Sequence, residues 1–264
     1  MLELSGIHKT FNIGTINEKK ALIDVSLKVD EGDFITVIGG NGAGKSTMLN
    51  IIAGVFAPEQ GNIVIDGVDV TKMSEYKRAS MVGRVFQDPM VGTASKMNIE
   101  ENLALANRRG KKRGLSWGIK KDERELFKEK LRMLDLNLED RLTTKVGLLS
   151  GGQRQALTLL MATLIKPKVL LLDEHTAALD PKTANKVLTL TEEITSSQNI
   201  TTIMITHNMK DAIKYGNRLI MMMGGKIIYD VKGEEKSNLT VKDLLAKFEQ
   251  SSGGEFANDR MLLS

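Results

Sequence analysis

Short apolar runs separated by glycine-rich or polar turns make up most of the chain, a pattern typical of alternating strands and helices. Residues 34–38 and 201–206 are rich in β-branched side chains, and each predicts a strand. Residues 169–172 are four consecutive apolar residues, which suit a central parallel strand covered on both faces. Partial alternation between Ala21 and Val29 instead predicts a half-exposed strand, and we expect residues 2–37 to be antiparallel.

The remaining runs predict further strands, a hairpin and several helices. Strands are predicted at residues 62–67 and 81–86, and residues 218–231 predict a hairpin closed by a Gly-Gly turn. Three consecutive methionines in that hairpin are expected to pack into the core rather than to bind a ligand. Helical patterns cover residues 48–53, 99–105, 123–134, 156–165, 183–195 and 240–248.

The composition narrows the class of protein. Hydrophobic residues make up 41% and charged residues 27% of the 264 residues, as in ordinary soluble globular proteins. No apolar run approaches 18 residues, and the N-terminus lacks the pattern of a secretory signal. The net charge of +4 and the 4% aromatic content argue against a nucleic-acid surface. The lack of cysteine fits a reducing cytosol without proving it.

The sequence GGNGAGKST at residues 39–47 carries the clearest chemistry. It has the spacing of a phosphate-binding P-loop and stands between a predicted strand and a predicted helix, which is the context that the motif requires. Its glycines let backbone amides turn inward at the start of a helix, where they can hold an anion. We expect Lys45 to reach the β- and γ-phosphates and the Ser46 hydroxyl to bind Mg²⁺.

Two carboxylates follow the apolar run at residues 169–172. Asp173 and Glu174 would lie at the carboxyl end of a strand, the edge at which α/β sheets bind ligands. Asp173 could hold Mg²⁺, and Glu174 could act as general base on the water that attacks the γ-phosphate. The alternative is a pair of solvated acids.

Polar residues also follow two other predicted strands. Gln87 could bind Mg²⁺ or the attacking water, although a lone glutamine is more often a plain loop residue. His207 could contact the γ-phosphate, although a lone histidine is usually structural. The loop of Lys45, the pair Asp173–Glu174 and His207 each follow a predicted strand. Compatible chemistry at these three strand ends favours the functional interpretation.

The sequence LSGGQ at residues 149–153 predicts a helix start. Ser150 is a good N-cap, and Gln153 can complete a capping box. Gly151 and Gly152 then stand where glycine costs about 1 kcal/mol each relative to alanine. We interpret them as a sign that backbone approaches a ligand, such as a phosphate at the helix N-terminus.

Two further features allow two interpretations. Phe11, 34 residues before Lys45, could stack on a nucleotide base or could be an ordinary core or edge-strand side chain. Residues 108–113 contain five basic side chains, which predict a solvated loop or, alternatively, a patch facing acidic lipid headgroups or a partner.

Taken in order, these motifs resemble those of the nucleotide-binding subunits of ABC transporters along nearly the full chain. By this resemblance, Phe11 is the A-loop aromatic, residues 39–47 are Walker A, Gln87 is the Q-loop, and residues 149–153 are the signature. Residues 169–174 match Walker B, residues 177–180 the D-loop and His207 the switch histidine. The implied ATP-contacting residues are Phe11, Gly39, Asn41, Gly42, Ala43, Gly44, Lys45, Ser46, Thr47, Ser150, Gly151, Gly152, Gln153 and Asp180. The implied Mg²⁺ ligands are Ser46, Gln87 and Asp173, and the implied catalytic residues are Glu174, His207 and Gln87.

The resemblance also implies an architecture and an assembly. We expect an α/β P-loop NTPase with a RecA-like core, an N-terminal antiparallel β subdomain and a helical subdomain inserted at about residues 88–160. One ATPase domain would cover residues 1–250, followed by a flexible tail at 251–264. The chain would act as a head-to-tail homodimer in which ATP lies between Walker A of one copy and the signature of the other. It would dock on the cytoplasmic face of a membrane permease.

One departure points to a narrower resemblance. His175 follows Glu174 where many members have proline. Together with it, residues 87–93 and 173–181 are similar to ATPases of bacterial uptake systems suspected to carry tryptophan or tyrosine. Such systems include an extracytoplasmic solute-binding protein. The expected function is therefore to power import of a small solute. An efflux or lipoprotein-extracting ABC system shares every motif, whereas a soluble ABC ATPase acting on nucleic acid or ribosomes, or a P-loop kinase, fits less well.

Overall fold

The computed structural model describes residues 1–111 and 118–252, and its contacts divide them into two compact units. The first unit contains residues 1–78 and 199–252, and the second contains residues 79–198. The second unit includes the span predicted as a helical subdomain, whose limits stay a prediction.

The first unit contains an antiparallel sheet in the order β2-β1-β4-β5. Its strands are β1 (Leu2–Phe11), β2 (Lys19–Val29), β4 (Gln60–Ile65) and β5 (Val68–Asp69). β1 buries alternate side chains at its start, as the period of an extended strand requires. β1 pairs with both β2 and β4, and irregularities in the register shift its pairing beyond Leu4 and Ser5.

A second group of strands in this unit has the order β10-β9-β3-β8. Its strands are β3 (Phe34–Ile38), β8 (Thr201–Ile205), β9 (Arg218–Met223) and β10 (Lys226–Lys232). β3 is buried along its whole length and pairs in parallel with β8 and β9. The expectation that residues 2–37 are antiparallel is therefore wrong for β3, because its partners come from more than 150 residues along the chain.

The hairpin prediction is confirmed, since β9 and β10 pair antiparallel around Gly224 and Gly225. Met221 and Met222 are fully buried, as predicted, whereas Met223 is partly exposed. The helices of this unit are α1 (Lys45–Ala53), α2 (Glu75–Arg78), α7 (Met209–Lys214), α8 (Glu234–Ser237) and α9 (Val241–Ser252). A buried cluster joins the hairpin to the last helix through Met221, Val231, Leu244 and Phe248.

The first two residues of the predicted tail are helical. Ser251 and Ser252 still belong to α9, which begins after Thr240. The rest of the predicted tail, residues 253–264, lies outside the described residues.

In the second unit, β6 (Val82–Val85) and β7 (Val169–Asp173) pair in parallel, with Val85 opposite Leu172. Its helices are α3 (Ile99–Asn107), α4 (Lys121–Arg132), α5 (Gly151–Thr163) and α6 (Pro181–Ser197), with a 3-10 turn at Val146–Leu148. Asn98 begins α3 through a complete capping box with Glu101. Asp180 begins α6 and is followed by Pro181, a residue whose fixed φ suits the first helical position.

Candidate active site

The P-loop has the predicted order of strand, glycine turn and helix. β3 ends at Ile38 and α1 begins at Lys45, three residues earlier than predicted. Gly44, the N-cap residue, has a φ of 102°, and a Cβ there would lie 2.5 Å from the Ala21 carbonyl oxygen. A Cβ on Gly39 would lie 2.3 Å from the Met222 carbonyl oxygen. Both positions therefore require glycine on steric grounds, and the left-handed φ of Gly44 adds a conformational reason.

The side chain of Lys45 lies inside this loop. It is 5% exposed, and its Nζ donates hydrogen bonds to the carbonyl oxygens of Gly39 at 2.7 Å and Gly40 at 3.1 Å. These bonds keep the ammonium group beside the loop amides, where a phosphate would meet both.

The β9–β10 turn supports the P-loop from outside. The Gly225 amide donates to the Ala43 carbonyl at 3.1 Å, and the Gly225 carbonyl accepts from the Ile23 amide at 2.8 Å. Sequence reasoning predicted this turn but assigned it no relation to the loop, because the contact joins residues about 180 positions apart.

Phe11 lies at the end of β1 with its ring partly buried. The ring packs edge-on against Phe56 with centroids 5.2 Å apart, and Lys9 Nζ lies 5.5 Å from the Phe11 centroid. These contacts hold the ring in place and are compatible with both interpretations of Phe11. Directly across the strands, Lys19 pairs with Phe11, and its Nζ lies 3.0 Å from where a Cβ on Gly42 would stand.

His207 follows β8, the parallel neighbour of β3. The carboxyl ends of parallel neighbours meet at the same edge of a sheet, and the Thr206 amide donates to the Val37 carbonyl at 3.2 Å. The first unit therefore brings exposed His207 and the P-loop to one edge, as the sequence predicts.

In the second unit, the ends of β6 and β7 bring the polar residues after them to one edge. Gln87 follows β6 by one residue after Phe86, whereas Asp173 ends β7 and Glu174 follows it. Asp173 also pairs with Arg84, whose Nη2 lies 3.5 Å from Oδ2, and both side chains are about 15% exposed. Arg84 was missed by sequence reasoning, although a lone arginine within the apolar run at residues 81–86 was a usable signal.

Glu174 has an uncommon backbone conformation. Its φ is 47°, in the left-handed region that few residues with a side chain adopt, and its carbonyl accepts from the Ala177 amide at 3.0 Å. Such strain persists only where neighbouring structure holds it, and it is common at functional sites.

His175, the next residue, is 2% exposed and its Nε2 lies 3.2 Å from Thr191 Oγ1. Burial lowers the pKa of His175 to about 4, so its imidazole is neutral at neutral pH.

The predicted capping box at the start of α5 is confirmed. The Gln153 amide donates to Ser150 Oγ at 3.3 Å, and the Ser150 amide donates to Gln153 Oε1 at 3.2 Å. A Cβ on Gly152 would lie 2.1 Å from Thr183 Cγ2, and one on Gly151 would lie 3.3 Å from Leu179 Cδ2. Packing against α6 is thus a reason for Gly152 within the chain, in addition to the approach of a ligand that the sequence suggested.

Gln155 links the signature helix to the end of β6. Its side chain is fully buried, and its Nε2 donates to the Phe86 carbonyl at 3.3 Å, one residue before Gln87. Sequence reasoning gave this glutamine no role, because it lies in an ordinary helical pattern.

Asp180 acts in the structure as a helix cap. Its carboxylate accepts from the Thr183 amide at 3.1 Å, and the hydrogen bonds from Thr183 lower the pKa of Asp180. A contact between Asp180 and nucleotide stays a prediction.

The prediction of a solvated loop at residues 108–113 is wrong for Arg109. The guanidinium of Arg109 donates to the carbonyl oxygens of Ala162, at 2.9 Å, and Ile165, where α5 ends. Burial lowers the pKa of Arg109. Arg108 bonds to Glu123 and the Ala104 carbonyl, whereas residues 112–117 lie outside the described residues.

These features define the class of protein, and comparison with known proteins agrees. The family model described as ABC transporter matches residues 22–177, so the chain belongs to that family. It is an ATP-binding and ATP-hydrolysing subunit of an ABC transporter.

Sequence identity and coverage were compared for individual relatives. The chain is 47% identical over 249 residues to a tyrosine transport ATP-binding protein of Clostridioides difficile, covering 94% of this chain and 99% of that one. It is 34% identical to a methionine import ATP-binding protein of Legionella pneumophila, covering 86% of this chain and 63% of the relative. A dimeric ATP-binding cassette solved with ADP and Pi in a post-hydrolysis state is 31% identical. That match has a TM-score of 0.75 and covers 88% of this chain and 98% of the cassette.

Among the described residues, no helix is both long and apolar enough to cross a membrane.

Proposed function

We propose that the chain powers the import of a small solute such as an amino acid. The observation that carries this proposal is the 47% identity, over nearly the whole of both chains, with a protein named for tyrosine transport. The relative named for methionine import adds support for the amino-acid class.

The proposal includes partners that would complete the transporter. The chain would bind permease subunits from the cytoplasmic side, and a solute-binding protein would deliver the cargo outside the cell. An efflux or lipoprotein-extracting system uses the same ATPase motifs. Copurification of the chain with its membrane partner, followed by transport into or out of vesicles, separates the alternatives. ATP-driven movement of solute away from the side of the membrane that carries the ATPase would contradict import.

For ATP binding, the proposed contacts follow the local geometry. The amides at residues 39–47, including those of Asn41, Gly42 and Thr47, would hold the phosphates together with Lys45, and Phe11 would stack on the base. Lys45 Nζ already lies against the loop carbonyls, so it would need only to exchange hydrogen-bond partners. This preorganisation lowers the cost of binding.

Mg²⁺ would be held by oxygens of Ser46, Gln87 and Asp173 together with the nucleotide. A hydroxyl, an amide and one carboxylate fit this ion, which keeps several waters and takes few carboxylates beside phosphate oxygens. Within residues 1–111 and 118–252, no group of three or more His, Cys, Asp or Glu side chains is arranged to hold a metal ion. When bound, Mg²⁺ would neutralise charge on the phosphates.

Hydrolysis would depend on Glu174. Its carboxylate would accept a proton from the attacking water, while Gln87 and His207 would orient the water and contact the γ-phosphate. Glu174→Gln keeps the size of the side chain but removes the base. We expect it to bind ATP, to hydrolyse it 10²–10⁴-fold more slowly, and to form ATP-dependent dimers.

The control for Glu174→Gln is Lys45→Ala, which should lose ATP binding and dimer formation together. Phosphate release and size exclusion with ATP and ADP are measured on the same preparations. Hydrolysis by Glu174→Gln at close to the parent rate would show that Glu174 is not the base.

The homodimer has its own test. If the signature residues Ser150, Gly151, Gly152 and Gln153 contact ATP held by the other copy, mixing Lys45→Ala chains with Ser150→Arg chains should restore part of the activity. Each mixed dimer then keeps one intact site and one doubly damaged site. A lack of recovery, with mixed dimers shown to form, would argue that one chain holds the whole site.

The permease contact is proposed at residues 88–102, directly after Gln87. Met90 and Val91 in this segment are 41% and 64% exposed, and two adjacent exposed apolar side chains suit a protein partner. Crosslinks from this segment to the membrane partner should change with ATP. Contact through another surface alone would contradict the assignment.

A further inference from the structure

The buried imidazole of His175 has no part in the reaction described above, although it directly follows Glu174. Its Nε2 lies 3.2 Å from Oγ1 of Thr191, which stands about three turns into α6. The Thr191 hydroxyl donates its proton to the Val187 carbonyl at 2.8 Å. A hydroxyl has one proton, so His175 is the donor in its bond to Thr191, and the imidazole carries its proton on Nε2.

This bond lies beside the strained residue. Glu174 has a φ of 47°, a left-handed conformation that is strained for a residue with a side chain and must be held by its neighbours. On the upstream side, the end of β7 and the Asp173–Arg84 pair fix the chain. On the downstream side, the first side chain anchored in the interior is that of His175.

Helix α6, to which His175 is bonded, is itself firmly placed. Thr191 is fully buried, Asp180 caps the helix, and Thr183 packs against Gly152 of α5. A hydrogen bond to this helix therefore ties the residue after Glu174 to a rigid element rather than to a loop.

We propose that the His175–Thr191 hydrogen bond positions Glu174 for proton abstraction. His175 is thus a positioning residue, and the inference rests on the proposed role of Glu174 as base. Reacting groups must be held to a fraction of an ångström, and a misplacement of about 1 Å can cost on the order of 10²-fold in rate. The contact should therefore affect kcat and leave ATP binding, which depends on the P-loop, nearly unchanged.

Thr191→Val tests the contact because it keeps the shape of the side chain and removes the acceptor. We expect kcat to fall by about tenfold, as an intermediate loss of positioning, with KM for ATP within about twofold of the parent. Thr191→Ser keeps the hydroxyl and should retain most of the activity. His175→Ala should resemble Thr191→Val, and the double variant should be little worse than either single one.

Thr195→Val is the matched control. Thr195 lies one turn further along α6, is 3% exposed, and donates to the Thr191 carbonyl at 2.7 Å. Thr195→Val removes the same kind of side-chain bond to the helix backbone but leaves the His175–Thr191 bond in place. A merely structural role predicts equal kcat losses for Thr191→Val and Thr195→Val, in step with their melting temperatures, and that result would overturn the proposal.

A second readout uses the Glu174→Gln background. If Thr191 acts through Glu174, adding Thr191→Val to Glu174→Gln should leave the residual hydrolysis unchanged, and a further tenfold loss would overturn the proposal. Parent-like kcat in folded Thr191→Val would also overturn it while leaving the proposed function intact. Parent-like hydrolysis by Glu174→Gln would instead remove the proposed base and the positioning role with it.

Discussion

Two helix starts in this molecule are predicted to meet phosphate, and they are built in opposite ways. The N-cap residue of α1 is Gly44, which has no side chain with which to cap the first amides. α5 begins at Ser150, whose hydroxyl and the Gln153 amide oxygen satisfy one backbone amide each. The first amides of a helix lack partners within the helix, and amides at a helix start can bind an anion. At α5 the capping box bonds one of them, whereas the N-cap glycine of α1 has no side chain that could do so.

The difference indicates a division of labour. The start of α1 also carries Lys45, so amides, helix dipole and a cation would act together on a phosphate. The start of α5 is partly capped by its own side chains. Its first turn carries one charged residue, Arg154, whose guanidinium donates to the Val146, Gly147 and Leu149 carbonyls. We therefore expect α1 to determine ATP affinity and α5 to affect later steps.

The largest effect should come from closing the α1 site. Gly44→Ala places a Cβ 2.5 Å from the Ala21 carbonyl oxygen. It also requires alanine to adopt the positive φ of this position, so the loop must move. We expect at least about a hundredfold loss of ATP affinity in a fluorescent-nucleotide titration, as for a misplaced binding group.

Gly67→Ala is the control for this variant. Gly67 has a φ of 77°, and no described atom other than those of the adjoining residues lies within 4 Å of a Cβ built there. Gly67→Ala introduces the conformational strain without the clash, so the ATP affinity of this variant should stay near that of the parent. Equal affinities for the two variants would break the comparison, because the α1 start would then need no exact backbone path.

Next in size is Gly152→Ala, which tests why α5 needs glycine. The added methyl would lie 2.1 Å from Thr183 Cγ2, and such overpacking costs typically about 1–3 kcal/mol of unfolding free energy. Thr183→Ser removes that methyl and keeps the hydroxyl. We expect it to restore the melting temperature of Gly152→Ala.

ATPase activity in the Gly152→Ala/Thr183→Ser pair separates the two reasons for glycine. Activity that returns with stability would mean that packing against α6 is the whole reason. Activity that stays low in a stable protein would support the approach of a ligand or second copy. A melting temperature that does not recover would show that Thr183 is not the obstacle.

Ser150→Ala should have a smaller effect on stability and a selective effect on turnover. Loss of an N-cap costs about 1 kcal/mol, and ATP affinity of the dilute chain should not change because α1 sets it. Asn98→Ala is a matched control, since Asn98 forms the same kind of capping box with Glu101 at the start of α3. Both variants should melt at similarly reduced temperatures, and only Ser150→Ala should weaken ATP-dependent dimer formation and hydrolysis. Equal losses of hydrolysis in the two variants would show that Ser150 acts only as a helix cap.

The smallest effect is expected for Lys19→Met, which sharpens the description of the α1 site. Lys19 is exposed but directs its Nζ toward Gly42, across the strands from Phe11. An exposed charge contributes up to about 1 kcal/mol, so KM for ATP should rise by about two- to fivefold at low salt. The neighbouring Lys20→Met serves as control. A KM unaffected by either substitution would remove Lys19 from the nucleotide site.

The same contrast explains what the sequence could predict. The order of β3, glycine loop and α1 and the Ser150–Gln153 box were predictable because each depends on residues close in sequence. Three features were not predictable: the parallel pairing of β3, the hydrogen bonds of Arg109 to the end of α5, and the His175–Thr191 bond. Each depends on a partner from another element, and a local pattern of apolar and polar residues carries no information about which element that is.

The glycine turn of the β9–β10 hairpin has a practical consequence for engineering the protein. Hairpin tips are usually chosen to carry inserted tags, labels or fused domains, because they tolerate added chain. Here the Gly225 amide and carbonyl bond to Ala43 and Ile23, and the Met222 carbonyl fills the space beside Gly39. A reporter inserted at this tip would therefore either respond to nucleotide binding or impair it. The β4–β5 turn at Gly67 is a site where an insertion should leave nucleotide binding unaffected.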